Sequence, residues 1–399
     1  MVSAISVAYC SWIPMLALYI AHCARRKEFP KITALPFFRQ LTAYAGWGLV
    51  VSFLGFGIAR SLNYWRADLL CVLFWLLYLL FINWPKTQQW MTRGFLIGFL
   101  FLVIIGIAQF FVMHWAPHCN EWLATGAPHW LHRFAVKPEH MNRIHGPVHT
   151  LTYAETLAIA AIFVLSMGWN WRYMVLKGLF LVMVLASQSR GPFLAYCGGL
   201  AAYFLAMLVF QKQRRSYRII VPIVLAGFFL IFSPAVRIRM GDGLGFAHNR
   251  DRFTMWKVGG LIIHDHPVFG VGIGHVRSVW THYIPQDWKK YLNGANEVWS
   301  DVHSLYLQQT AERGIPGLGI LLVLLCGFPV YLWKIMGVLR DKGLFVPSVL
   351  SAWAVSVAFL IMNLTESAFQ DTEVVFCLYF VLALALAQVH EKVKQSNIS

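Results

Sequence analysis

Three basic side chains, distant along the chain, are of types that can act on an anion and its leaving group. Arg190 lies in Ser187-Gln188-Ser189-Arg190-Gly191-Pro192, between two apolar runs. Pro192 suits the first turn of a helix, so the guanidinium is expected at the end of a span. There it is either an arginine snorkelling to the interface or an anion ligand. Arg252 and Trp256 are four apart in Arg250-Asp251-Arg252-Phe253-Thr254-Met255-Trp256-Lys257, a spacing that puts both on one helical face. That face is either a structural cation–π or salt-bridge arrangement or a second guanidinium for the same anion. An arginine fork suits phosphate because it bonds two oxygens at once. His303 lies in Asp301-Val302-His303-Ser304-Leu305-Tyr306-Leu307. Here Asp301 is a candidate N-cap, His303 opens a helix, and Gly314-Ile315-Pro316-Gly317 marks a break further on. A histidine at a helix start can be structural, and it is also the side chain best suited to take a proton near neutral pH. Glu366, in Leu364-Thr365-Glu366-Ser367, reads either as a solvated turn residue or as an acid that orients an arginine or touches substrate.

Other polar clusters carry less. In His264-Asp265-His266 the two histidines are two apart, which is not one helical face, and no third ligand is placed by spacing. The glycines of Phe269-Gly270-Val271-Gly272-Ile273-Gly274 follow no strand and open no dinucleotide-type helix. They read as a turn that lets backbone approach a ligand or another helix. The histidines at 118, 129, 132, 140, 145 and 149 repeat no metal-ligand spacing, and short interfacial helices are expected in that loop.

These residues need elements to hold them, and composition says which. The 399-residue chain is 58% hydrophobic and only 13% charged, too little charge to cover a soluble domain of this length. The expected fold is an all-α polytopic membrane protein of about 11–12 transmembrane helices. Apolar runs fall at about 4–23, 41–60, 68–84, 94–114, 151–168, 173–188, 192–210, 218–234, 315–333, 345–363 and 371–389. The first lacks a preceding basic region and a cleavage site, so it reads as a retained span. The seven cysteines suggest neither a disulfide framework nor a metal motif. A net charge of +16 does not imply nucleic acid here, because Lys and Arg accumulate in cytoplasmic loops. Under strict alternation Arg25, Arg26, Lys86, Arg93, Lys212, Arg214, Lys334, Arg340, Lys392 and Lys394 all fall on one side, which is then cytoplasmic. Arg190, Arg252, His303 and Glu366 fall on the other, the periplasmic side of a bacterial inner membrane. The expected organisation is N-terminal transmembrane helices over 1–234 with a periplasmic loop at 115–150, a large periplasmic loop of short helices over 235–306, and C-terminal transmembrane helices over 307–399.

The ordered set Ser189-Arg190-Gly191-Pro192, Arg252-Phe253-Thr254-Met255-Trp256, His264 to Gly274, Val302-His303-Ser304-Leu305-Tyr306-Leu307 and Glu312-Arg313-Gly314-Ile315-Pro316-Gly317 resembles the O-antigen ligase and polymerase superfamily of membrane glycosyltransferases. The resemblance covers roughly a third of the chain, 187 to 317. It implies that Arg190 and Arg252 bind the pyrophosphate of an undecaprenyl-pyrophosphate-linked donor and that His303 is the catalytic histidine. Trp256 and Glu366 join the substrate-binding set. Ligases transfer O-antigen to the outer-core sugar of lipid A–core, and polymerases join repeat units. The late position of the large loop and the stop soon after the last span favour the ligase. A transporter of lipid-linked glycan is a third reading, but neither charges at mid-span nor inverted-repeat symmetry is evident.

The chemistry this permits is a single displacement. Two fixed guanidiniums stabilise the charge that grows on the leaving pyrophosphate, so no metal or other cofactor is invoked. His303 takes the proton of the acceptor hydroxyl as it attacks the opposite face of the sugar carbon, inverting it.

Overall fold

The computed structural model describes residues 31–135, 146–168, 170–210, 246–284 and 301–396, with Ile144 and several positions between 16 and 25. Every regular element among the described residues is helical. Helix α1 (Phe38–Leu54) is followed across a glycine break by α2 (Ile58–Trp65), which continues through a 3-10 turn into α3 (Cys71–Asn83). Next come α4 (Pro85–Trp115), the short α5 (Pro117–Thr125), α6 (Thr150–Phe163), α7 (Trp171–Ala186) and α8 (Arg190–Phe210). The remainder is α9 (Phe246–Asp265), α10 (Val276–Tyr283), α11 (Leu305–Asp341), α12 (Pro347–Met362) and α13 (Thr372–Ser396). Among the described residues, five stretches are long and apolar enough to cross a membrane: Ile58–Asn83, Pro85–Val112, Arg190–Phe210, Leu305–Asp341 and Thr372–Ser396. Thr150–Ser166 and Pro347–Met362 are apolar but shorter. The chain is an all-helical, multi-pass membrane protein. The expected spans at 4–23 and 218–234, and the segments 211–245 and 285–300 of the loops, lie wholly or largely outside the described residues.

One expectation changes. The run read as one span over 41–60 ends as a helix at Leu54, and the chain restarts at Ile58 in a helix continuous with the next span. The break expected near Gly314 is present: within α11, Leu305–Asp341, two helical stretches meet at a kink where Gly314 leaves helical backbone at φ 71°, ψ 178°.

Helix α13 is the centre of the bundle. Nearly all of Thr372 to Ala387 is buried, and the helix packs along α3, α12 and α6. Phe380 stacks on Phe95 of α4 with ring centroids 4.3 Å apart. By contrast α4 exposes Ile97, Phe101 and Ile104, which costs nothing where the solvent is hydrocarbon. Helices α8 and α12 approach closely through small residues. A Cβ on Gly199 would stand 2.8 Å from Cβ of Ala358. In lipid such contacts supply packing that the hydrophobic effect cannot. This pairing brings the start of α8 to the end of α12.

The kink in α11 builds the rest of the site's frame. Pro316 has no N–H for the carbonyl of Glu312, and the N–H of Ile315 leaves the helix for the carbonyl of Pro267 at 2.7 Å. The two carbonyls this strands are taken from outside. Val271 N–H donates to Ala311 at 2.9 Å and Gly272 N–H to Glu312 at 3.1 Å. Gly314 has φ 71°, and a Cβ there would collide with the carbonyl of Val268. Only glycine gives both that backbone conformation and that approach. The glycine-rich turn therefore docks on another helix.

A buried ion pair ties this kink to the N-terminal helices. Arg313 Nη1 and Nη2 meet Asp68 Oδ2 and Oδ1 at 2.7 and 2.9 Å, with side chains 3% and 7% exposed. The guanidinium lies over the ring of Tyr44, whose hydroxyl donates to Gln309. Removing one partner strands the other charge. Asp68→Ala is expected to destabilise the fold by roughly 3–5 kcal/mol, read as unfolding in mixed detergent micelles. Replacing Asp68 and Arg313 together by Met is expected to lose markedly less.

Candidate active site

Four segments meet at one end of the bundle, and Glu366 joins them. It sits in the turn after α12, and its side chain is 2% exposed. Its Oε1 receives Arg252 Nη2 at 2.7 Å and its Oε2 stands 3.3 Å from His303 Nδ1. Arg252 Nη1 also donates to the carbonyl of Thr365 at 2.8 Å. One carboxylate thus holds a guanidinium from α9 and an imidazole from the segment before α11. Arg252 and His303 are each 33% exposed, so both remain open to a ligand.

Arg252 and Trp256 share one face of α9, as their spacing predicts. Trp256 Nε1 donates to the carbonyl of His303 at 3.5 Å, a long bond, while Arg252 holds the carboxylate beside the same residue. His303 does not open the helix. Helix α11 begins at Leu305, and His303 lies before it with φ 48°, in the left-handed region. Asp301 is not the N-cap. Ser304 occupies that position without a side-chain cap. Asp301 instead accepts the N–H of His303 at 2.6 Å and the hydroxyl of Ser367 at 2.8 Å. The carboxylate turns back two residues because the chain between it and the helix takes the left-handed bend.

Glu366 is a buried counter-charge and not a solvated turn residue. The signal available in the sequence was an acid beside two expected cations in space. That proximity is 63 residues away from His303 and 114 from Arg252, beyond the reach of local pattern.

Arg190 is the first residue of α8. Its neighbour Gly191 touches the same turn. A Cβ there would stand 2.6 Å from Thr365 Oγ1 and 3.2 Å from Glu366 Oε1. The α8 N-terminus therefore abuts the carboxylate-bearing turn.

The electrostatics of the site follow from these contacts. The hydrogen bond to Glu366 raises the pKa of His303 above the ordinary histidine value, burial opposes this, and Asp301 adds to it while Arg252 subtracts. Burial pushes the carboxyl of Asp301 up, against the contacts it makes to His303 and Ser367. An ionised carboxylate accepts and cannot donate, so the proton of the neutral imidazole is assigned to Nδ1. Nε2 is then the basic nitrogen.

The described residues of this helical membrane protein bring a guanidinium, an imidazole and a shared buried acid together at one end of the bundle. Residues 175–322 match the family model described as O-antigen ligase. The match includes Arg190, Arg252, Trp256 and His303 and stops short of Glu366. No curated protein matches the chain.

Glu366→Gln keeps the shape and removes the charge. The pKa of His303 is expected to fall, as followed by NMR of isotope-labelled histidine in micelles. A histidine whose folded pKa exceeds its unfolded value adds stability that is complete below about 6.5 and is lost as pH rises through the raised value. The wild-type protein should therefore lose stability over that window, and Glu366→Gln should flatten the dependence.

Proposed function

We propose that the protein transfers O-antigen from an undecaprenyl-pyrophosphate donor to the outer-core sugar of lipid A–core, at the periplasmic face of the inner membrane. The observation that carries this reading is the bridge of Arg252 and His303 through the single buried carboxylate of Glu366. In this reading Arg252 is the phosphate-binding cation and His303 the base, with the proton-bearing nitrogen of the imidazole engaged by Glu366.

In this reading the donor pyrophosphate lies against Arg252 and the start of α8, where Arg190 stands. Arg252 uses two hydrogen bonds on Thr365 and Glu366. A guanidinium has five N–H groups, so three remain for phosphate oxygens. Trp256 and Glu366 fix the two charged groups and border the sugar. His303 Nε2 takes the proton of the acceptor hydroxyl as that oxygen bonds to the anomeric carbon. The carbon–oxygen bond to pyrophosphate breaks on the opposite face, and the leaving diphosphate keeps the electron pair beside the guanidiniums. One displacement inverts the carbon.

The sidedness rests on helix direction. Helix α11 starts beside His303 and carries Lys334 and Arg340 towards its other end, and α13 starts after the site turn and carries Lys392 and Lys394 at its close. At 1.5 Å per residue, α11 separates its two ends by roughly 50 Å. The basic residues therefore lie across the bundle from His303, which supports a site on the side away from the cytoplasm.

His303→Ala is expected to lower transfer about 100-fold or more, measured with purified protein, lipid-linked O-antigen and lipid A–core. Arg252→Lys should also lower it, because a point charge cannot hold Thr365, Glu366 and phosphate together. Disruption of the gene should leave long undecaprenyl-linked polymer and unsubstituted core. Single repeats on core would instead identify a polymerase, and full activity of His303→Ala would remove the base from the reading.

A further inference from the structure

The backbone of His303, at φ 48°, lies in a region that a non-glycine residue occupies only where its surroundings hold it there. The N–H groups around it show what holds it. That of His303 goes to Asp301, and that of Leu305 is shared by the carbonyls of Asn363 and Glu366 at 3.1 and 3.0 Å. That of Val302 goes in another direction, into α11, where Gln308 Oε1 accepts it at 3.0 Å. Gln308 Nε2 then donates to Glu312 Oε1 at 2.8 Å, and the same oxygen accepts the N–H of Gly274 at 2.9 Å.

This is a buried polar chain in the first turns of α11. Gln308 is 1% exposed and Glu312 2%, and Glu312 Oε2 has no hydrogen-bond partner among the described residues. Burying an amide and a carboxyl at such a position costs stability. Neither side chain touches Arg252, Glu366 or the His303 ring through a described hydrogen bond. What they hold is backbone: the peptide just before His303 and the turn that docks on the α11 kink.

We infer that Gln308 and Glu312 are positioning residues for His303, together fixing the Val302 peptide so that the imidazole reaches Glu366. This rests on the reading of His303 as the base of the transfer. The amide at 308 is needed for its two unlike ends. Its oxygen faces the Val302 N–H, and its nitrogen faces Glu312 Oε1, which also accepts from Gly274. A carboxyl at 308 could still receive Val302 but would set a second buried acid against Glu312 in place of the amide donor. Exchanging the two residues keeps one amide and one carboxyl in the pair. The carboxylate at 308 can accept from Val302 and from the amide at 312, once that amide turns so that its nitrogen meets residue 308 and its oxygen meets the Gly274 N–H.

The experiment is the same transfer assay, with kcat and donor KM measured for Gln308→Leu, Gln308→Glu and the exchange Q308E/E312Q. Gln308→Leu and Gln308→Glu are expected to lose about 30-fold in kcat with donor KM within about 3-fold, because the base is misplaced while the cations that hold the donor stay. The exchange is expected to recover kcat to within about 5-fold of wild type. A residue that served packing alone would not be rescued by exchange, and would not separate kcat from KM. Unchanged kcat in Gln308→Leu, or a folded exchange variant no better than Gln308→Glu, overturns the inference. Amide hydrogen exchange on the unaltered protein tests the same point without a variant. Val302 and Gly274 should be protected like the body of α11, and rapid exchange at both overturns it. His303→Ala run alongside separates the two readings: an inactive His303→Ala with a fully active Gln308→Leu overturns the positioning role alone, whereas an active His303→Ala overturns the catalytic role of His303.

Discussion

A carboxylate sealed at the end of a helical bundle must be balanced in charge, and this constraint organises the site. Glu366 is balanced by Arg252 on one oxygen and by His303 on the other. A bare carboxylate there would bear the full cost of desolvation, and a single partner would leave one oxygen unanswered. The two partners come from different helices, so the same acid that needs them also sets their distance. The peptide of Glu366 adds to this, since its carbonyl accepts the N–H of Leu305 at the start of α11. Removing the side chain would therefore loosen α9 and the segment before α11 at once.

The second organising feature is the interruption of α11. An unbroken helix offers no backbone groups to its neighbours. By spending one glycine and one proline, α11 exposes the carbonyls of Ala311 and Glu312 and frees the N–H of Ile315. The segment 267–272 meets all three. The glycine-rich stretch between α9 and α10 is fastened to a membrane helix by backbone bonds, which no apolar contact could direct as closely. Arg313, next to the kink, carries the fastening on to Asp68. Thus the helix that crosses the bundle and the loop that completes the site form one unit.

For transfer chemistry these features divide the labour. In the proposed reading Arg252 is held by a buried acid before any substrate arrives, so it needs little reorganisation as charge develops on a leaving group. The imidazole, with its Nδ1 side engaged by the same acid, then presents the other nitrogen. In that reading the acid orients a base and pairs with a guanidinium at once. This is why a residue outside the family-matched segment belongs to the proposed machinery.

Much of this was legible in the linear chain. Apolar runs of the right length declare membrane helices, because hydrocarbon demands that backbone groups be satisfied within the segment. The i, i+4 spacing of Arg252 and Trp256 places them on one face, because helical geometry is local. The types of Arg190, Arg252 and His303 state what chemistry they can do. Tertiary structure alone decided the rest. It buried Glu366, turned Asp301 from a helix cap into a brace for His303, and joined Val302 and Gly274 to the Gln308–Glu312 pair behind the histidine. Each of these is a pairing between residues on different elements or across a backbone bend. Such pairings are set by which helix ends pack together, and a one-dimensional pattern holds no record of that.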